Sequence, residues 1–527
     1  MTSLPYLGRQ LRQRRVPLTR WRWPRPEHLR EEVYRRGHPP FNPFPNVKDV
    51  VDAALCPLAI FHKFYHGLRG AGRGLRGDEE GIQLGQHYHQ FISYLKTEIV
   101  RGKRIEDAES LLSNYCSSQR VDVDTESSLR TLLRYWLRRK RESLEQLYER
   151  PRIFFEVHVA SINVTFGREV RFPLHGVIDE IDITNRRIIE RTLRGREDDT
   201  EPPFLKDFQL WLLWKIISSI GNGLVREVLG CENFEDYELI VETPYRDFLV
   251  DKNNPLFNEL AEDAFSWISD LATSNNSRLA IAINEAWQNR GFHGRPCRYG
   301  EEIKECAMIN NCYYRRRRYP ERRSAFGSDL RRLYYALFNE QIWRHDLMLY
   351  QLAYMEQHQD TTLQRDLREL LMGRSIFPAS IVRSIRNEGF IVRIDEQFRP
   401  SLLEVIQDEV VNFDIIFGSF SAGLRRRAQL DIDNTYSNIR EGQVFVRIEG
   451  PTNVEDLSVL LIRGSLLLRE EPWFLKRLVQ QSLFNLEKWG VDRDERARKH
   501  VTVRFIDTLF GSGQFRARVD DYEFHQH

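Results

Sequence analysis

Two carboxylates, a histidine, an amide and a lysine stand in an order that suits hydrolysis assisted by a metal ion. Asp179 ends Gly176-Val177-Ile178-Asp179, and Glu190 ends the next strand-like segment, Arg187-Ile188-Ile189-Glu190. On neighbouring strands the two side chains would converge at a hairpin edge. Carboxylate oxygens are the ligands Mg²⁺ prefers, and the ion can generate hydroxide while stabilising a pentavalent phosphate. Upstream, Gly85-Gln86-His87-Tyr88-His89 reads as helical, and His89 offers a further metal ligand. Downstream, Gln209 opens a helical segment, with Lys206 one turn before it on the same face. Lys206 is the candidate cation for orienting water and offsetting charge, because strand alternation points Arg191 away from Glu190. Its other reading is a solvated lysine near a helix start. Glu156 precedes this set in a strand-like run and also reads as a carboxylate paired with arginine.

A second constellation is built from sulfur. Cys297, Cys306 and Cys312 lie close together in a segment carrying Gly291, Gly294, Pro296 and Gly300, and Cys56 stands far upstream in Ala54-Leu55-Cys56-Pro57-Leu58. Four thiolates suit either tetrahedral zinc or a 4Fe-4S cluster. A buried core thiol at Cys56 and a chance trio are the alternative. Cys116 and Cys231 have no partner at ligand spacing and read as structural. Directly after Cys312, Tyr313-Tyr314-Arg315-Arg316-Arg317-Arg318-Tyr319 combines cations with aromatic rings, a pattern suited to phosphate contact and base stacking.

The order Cys56, His89, Glu156, Asp179, Glu190, Gln209 and then three cysteines resembles the iron-sulfur-containing PD-(D/E)xK nucleases. That group includes the CRISPR-adaptation exonucleases, the AddB-type recombination subunits and the nuclease domain of the Okazaki-fragment helicase-nucleases. The likeness spans roughly residues 50–320. It implies an α/β restriction-endonuclease-like core closed by a four-cysteine Fe-S staple, with Asp179, Glu190, Lys206 and Gln209 catalytic. His89, Asp179 and Glu190 would hold Mg²⁺ or Mn²⁺. The pattern is incomplete. Threonine, Thr192, stands where the Glu-x-Lys motif has lysine, and leucine, Leu213, where the Gln-x-x-x-Tyr helix has tyrosine. The gap between Cys297 and Cys306 is also wider than the family's. The resemblance therefore implies either a metal-dependent DNA nuclease acting on single strands or free ends, or a catalytically inactive nuclease fold that binds or scaffolds DNA. A zinc-stapled structural protein unrelated to nucleases is a third reading.

These residues need elements to position them. Ile153 to Val159, Gly176 to Ile183 and Arg187 to Glu190 alternate as hairpin-connected strands, and Leu205, Phe208, Leu212 and Ile216 mark one apolar helix face. Around this core the chain divides into an Arg/Trp-rich basic arm at 1–45, the nuclease-like domain at 46–327 and a helical stalk at 328–373. A β-rich, barrel-like α+β domain follows at 374–527. Strands are expected at Phe390 to Ile394, Val444 to Ile448, Leu457 to Leu468 and Val501 to Ile506, and a helix near Trp473 to Trp489.

A chain of 527 residues, 29% charged and 41% hydrophobic, is a folded multidomain protein rather than a disordered or fibrous one. The 78 basic and 76 acidic residues nearly cancel, so only clustering argues for a polyanionic partner. Six cysteines without an apolar leader, and no run long enough to span a bilayer, lead to the expectation of a cytoplasmic protein. No Gly-x-x-x-x-Gly-Lys-Ser/Thr loop occurs, so a separate helicase or ATPase is the expected partner in repair, recombination or antiviral defence.

Overall fold

The computed structural model describes residues 44–55, 78–273, 346, 349–358, 376–394, 412–430, 443–448 and 465–469, with short breaks at 150, 167–169, 194–196, 204–205, 232 and 386–388. Cys56, Cys297, Cys306, Cys312 and the Arg315, Arg316, Arg317, Arg318 run lie outside the described residues. So do positions 1–43 of the arm, most of the stalk, and the segments expected at 473–489 and 501–506.

Among the described residues four α-helices precede the sheet: α1 (Val47–Leu55), α2 (Asp78–Val100), α3 (Ala108–Gln119) and α4 (Val123–Glu145). The Asp122 carboxylate accepts from Thr125 N at 2.9 Å and so satisfies one of the unpaired amides at the start of α4. Three antiparallel strands follow, β1 (Ile153–Phe166), β2 (Val170–Asp182) and β3 (Arg187–Arg191). Two more helices, α5 (Lys206–Ser219) and α6 (Asn222–Leu229), then carry the chain across to β4 (Glu238–Glu242). Strand β4 runs parallel to β3, a pairing that a hairpin cannot make and that needs such a crossover. Strand β5 (Asp247–Leu249) and helix α7 (Pro255–Thr273) complete this part.

The apolar face of α5 is wider than the sequence spacing predicts. Phe208 to Leu213 are buried without a break, as are Ile216 and Ile217. The helix is covered by the sheet on one side and by neighbouring helices on others; Trp211 and Phe257 of α7 approach to 5.6 Å between ring centroids. A helix enclosed this way has no solvent stripe to preserve. A separate apolar core containing Phe91, Leu95, Leu112, Leu133 and Trp136 joins α2, α3 and α4.

Gly176 marks the tightest approach of α5 to the sheet. A β-carbon there would lie 2.6 Å from Leu213 Cδ2 and 3.0 Å from Val47 Cγ2. Leu213 is thus a packing residue against the glycine of Gly176-Val177-Ile178-Asp179. Gly176→Ala should cost about 1–3 kcal/mol by overpacking, read as a lower urea midpoint. An unshifted midpoint would show that α5 yields without strain.

The strands of the last third form a ring. Strands β6 (Ile376–Ile385), β7 (Gly389–Ile394), β8 (Asn412–Gly418), β9 (Ala422–Leu430), β10 (Gln443–Ile448) and β11 (Ser465–Arg469) pair in the order β10-β7-β6-β11-β8-β9. Pairing of β10 with β9 closes it. Closure removes the exposed edges that an open sheet of this size presents. Strand β9 also pairs with β1 from Val157↔Leu424 to Val159↔Ala422, so the ring and the first sheet share one hydrogen-bonded surface of 11 strands.

This junction is tied by buried and half-buried polar groups. The Glu356 carboxylate accepts from Phe420 N, Ser421 N and Ser419 Oγ, each at 2.8 Å. Gln357 Nε2 donates to Ala160 O at 2.8 Å, and its carbonyl accepts from Ile162 N at 3.1 Å. His158 Nδ1 lies 2.8 Å from Phe420 O; a carbonyl can only accept, so Nδ1 carries the proton. Burial, aided by His175 and Arg425, pulls His158 down to about 3 and keeps it neutral. Among the described residues no helix is long and apolar enough to cross a membrane.

Candidate active site

The site lies where β2 and β3 meet the start of α5. Asp179 faces Glu156 across the β1–β2 ladder, at a register position between the pairs Phe155↔Glu180 and Val157↔Ile178. There Glu156 takes φ +52°, a conformation that L residues seldom adopt and that costs energy. Ile178 and Ile181, three residues apart, join the same core, so strict alternation is interrupted between them. The interruption leaves Asp179 within reach of both flanking helices.

Helix α2 brings His89, whose Nδ1 lies 3.3 Å from Asp179 Oδ2. The same carboxylate oxygen accepts from Arg191 N at 2.7 Å. Helix α5 brings Lys206 and Gln209. Lys206 Nζ donates to Glu190 Oε1 at 2.9 Å and to Gln209 Oε1 at 3.1 Å, and Gln209 Nε2 donates to Glu190 Oε1 at 2.6 Å. Lys206 is therefore not a solvated residue at a helix start. His89, Asp179, Glu190, Lys206 and Gln209, far apart in sequence, form one cluster.

The two carboxylates titrate in opposite directions. Burial pushes Asp179 up, but His89, Lys206 and the Arg191 amide outweigh it and hold the group below the usual carboxylate range. Glu190 is pushed up to about 7, first by burial and then by the Asp179 charge, with Lys206 and His89 pulling against it. Burial and Asp179 also raise Glu156.

A pH dependence follows from Glu190. The folded protein holds its proton over a range where the unfolded chain, near 4.5, has lost it. The stabilising contribution is thus fully present below about 4.5 and is lost as pH rises through about 7. In metal-free buffer the urea midpoint of Glu190→Gln should vary less than wild type between these limits. Equal slopes would remove Glu190 as the titrating group.

Whether these residues suit a divalent cation turns on one atom. Among the described residues Glu190 Oε2 is buried with no hydrogen-bond partner, while its other oxygen is held by Lys206 and Gln209. A buried anionic oxygen left this way is costly unless a cation meets it. Among the described residues no three His, Cys, Asp or Glu side chains form a ready-made metal group. Mg²⁺ does not need one, because it commonly takes one or two carboxylates and completes its shell with water and substrate phosphate. The donor set fits that mode.

Behind the site lies a charge network that the sequence reading missed. Arg191 alternates to the opposite side of β3 from Glu190. There its Nη2 meets Glu180, and its Nε donates to Glu242 Oε1 at 3.0 Å. Lys96 Nζ grips both Glu180 oxygens at 2.8 Å, and Lys140 Nζ reaches Glu242 Oε2 at 2.8 Å and Asp247 Oδ2 at 2.5 Å. Burial alone would raise Glu242, yet Lys140, Lys96 and Arg191 hold it well below its ordinary value. The alternation that removed Arg191 from the active face also implied a second polar face. Glu242 and Lys140 gave no local signal.

Thr192 is buried beside the site and its N–H donates to Glu242 O at 3.0 Å, extending the β3–β4 ladder. Cys116 is buried and Cys231 half-buried, and among the described residues neither forms a disulfide. Set against known protein families and against curated proteins, the chain matches none.

Proposed function

We propose that this chain is a metal-dependent deoxyribonuclease of the PD-(D/E)xK type, with a restriction-endonuclease-like core, acting on single strands or free ends. The observation that carries the reading is the Lys206 ammonium beside Glu190, whose second oxygen is buried and without a hydrogen-bond partner among the described residues. A divalent cation at Asp179 and Glu190 would supply an activated water and offset charge on the phosphate. The chain's own residues do the rest. Gln209 and Lys206 fix one Glu190 oxygen and leave the other for the cation. His89 and the Arg191 amide orient Asp179. Lys206, arriving from a helix rather than from the strand position of Thr192, places its positive charge where charge grows during phosphodiester cleavage.

Its place in a larger assembly is part of the same proposal. Cys56, Cys297, Cys306 and Cys312 would ligate a 4Fe-4S cluster, a structural zinc being the alternative, and Arg315 to Arg318 would contact the DNA backbone. A separate helicase or ATPase would deliver the strand, in repair, recombination or antiviral defence inside the cytoplasm.

The deciding experiment is cleavage of end-labelled single-stranded DNA by anaerobically purified protein with Mn²⁺ or Mg²⁺, beside Asp179→Ala. We expect cleavage by the wild type and its loss, by at least about 10³-fold, in the variant. Salt-sensitive binding without cleavage would instead identify a nuclease fold kept as a DNA-holding subunit, the reading that Thr192 in the lysine position favours.

A further inference from the structure

Strand β9 carries three successive arginines, Arg425, Arg426 and Arg427, at the point where the strand ring adjoins the first sheet. We propose that β9 is a phosphate-contact strip that leads a single-stranded polynucleotide across the outside of the ring to the Asp179–Glu190 site, a role that rests on the function proposed above.

Register places the strip. Val157 pairs with Leu424, so one step further along the antiparallel ladder Arg425 stands beside Glu156, the residue opposite Asp179. The positive run therefore begins one strand away from β2 and its catalytic carboxylate. Arg425 and Arg426 both act on the Glu156 charge, which sets them electrostatically in the same neighbourhood.

Alternation divides the three arginines by role. Leu424 is buried, and Arg425 and Arg427 lie on the opposite face of the strand. Arg427 is exposed and the Arg425 side chain is 36% exposed. Arg426 ties the strand to β1 instead, donating to Phe155 O at 2.8 Å. Arg425 Nη2 donates to Asp414 Oδ2 of the neighbouring strand β8 at 2.5 Å, which holds the guanidinium in place. The Asp414 side chain is 18% exposed, so Arg425 would keep this ion pair and offer its outward donors to a phosphate. A guanidinium matches a phosphate with two parallel N–H donors, and a strand holds such forks at fixed spacing. Further round the ring, Arg393 of β7 is exposed and in register with Gln443 of β10.

The test uses the full chain without divalent metal and fluorescein-labelled oligo(dT) and oligo(U), with binding followed by anisotropy across a salt series. Single-strand contacts each add about 0.7 to the slope of log affinity against log salt. Arg425→Gln/Arg427→Gln should lower the slope by about 1.4 for both oligonucleotides, and Arg427→Gln alone by about 0.7. Arg427 is exposed, so the single variant keeps the measurement interpretable if the double one melts early. An unchanged slope in the single variant, or no binding of either oligonucleotide by the wild type, overturns the strip. Asp179-dependent cleavage with an unchanged slope would remove the strip and leave the nuclease. A lowered slope in a protein that never cleaves would keep the strip and remove the nuclease.

Discussion

Replacing Lys206 by methionine should lower the rate of single-strand cleavage by about 10²–10³-fold while leaving oligonucleotide affinity within a factor of about two. That magnitude is typical when one preorganised donor aimed at developing charge is removed. The argument rests on position. Lys206 Nζ sits 2.9 Å from Glu190 Oε1, and its charge also acts on Asp179, so it is close to the carboxylates that would hold the cation. A loss in kcat with little change in binding is the signature of a group used in the transition state. Methionine approximates the length of the stem, which limits repacking at the start of α5. Thr192 offers a rescue. It is two residues beyond Glu190, just past the end of β3, where its N–H still pairs with Glu242 O, so alternation returns it to the Glu190 face. Thr192→Lys in the Lys206→Met background should recover part of the rate. Wild-type turnover by Lys206→Met would end the assignment of Lys206.

The second large effect concerns stability. Arg191→Met should cost about 3–5 kcal/mol, because it removes the cation shared by two buried carboxylates, Glu180 and Glu242, and leaves each with one lysine. Against a typical total of about 5–15 kcal/mol this leaves a marginal protein at best. Urea denaturation would show a lower midpoint with an unchanged slope. Arg191→Lys should recover only part of the loss, since an ammonium lacks the planar fork that spans two carboxylates. A shift below about 1 kcal/mol would mean that Lys96 and Lys140 hold Glu180 and Glu242 unaided. The two experiments separate cleanly. Lys206 lies on the active side of β3 and Arg191 on the other, so one variant should lose turnover while folded and the other should lose the fold.

The sequence by itself determined which residues are available for chemistry. His89, Asp179, Glu190 and Gln209 were legible from residue type and order, and Lys206 from its place one turn before Gln209, because a helix repeats near every fourth residue and a strand every second. The same periodicities located α5, β3, the first half of β1 and the second half of β2, but not residues 160–166 or 170–175. What only the tertiary structure decided is everything set by distance along the chain. The burial of α5 on several sides depends on Phe257 and Val47; Arg191's partner Glu242 is 51 residues away; Glu156 meets Arg425 only because β9 adds to β1. Local spacing carries no information about such pairings. They arise when the sheet assembles and desolvated charges must find opposite charges or lose the folded state.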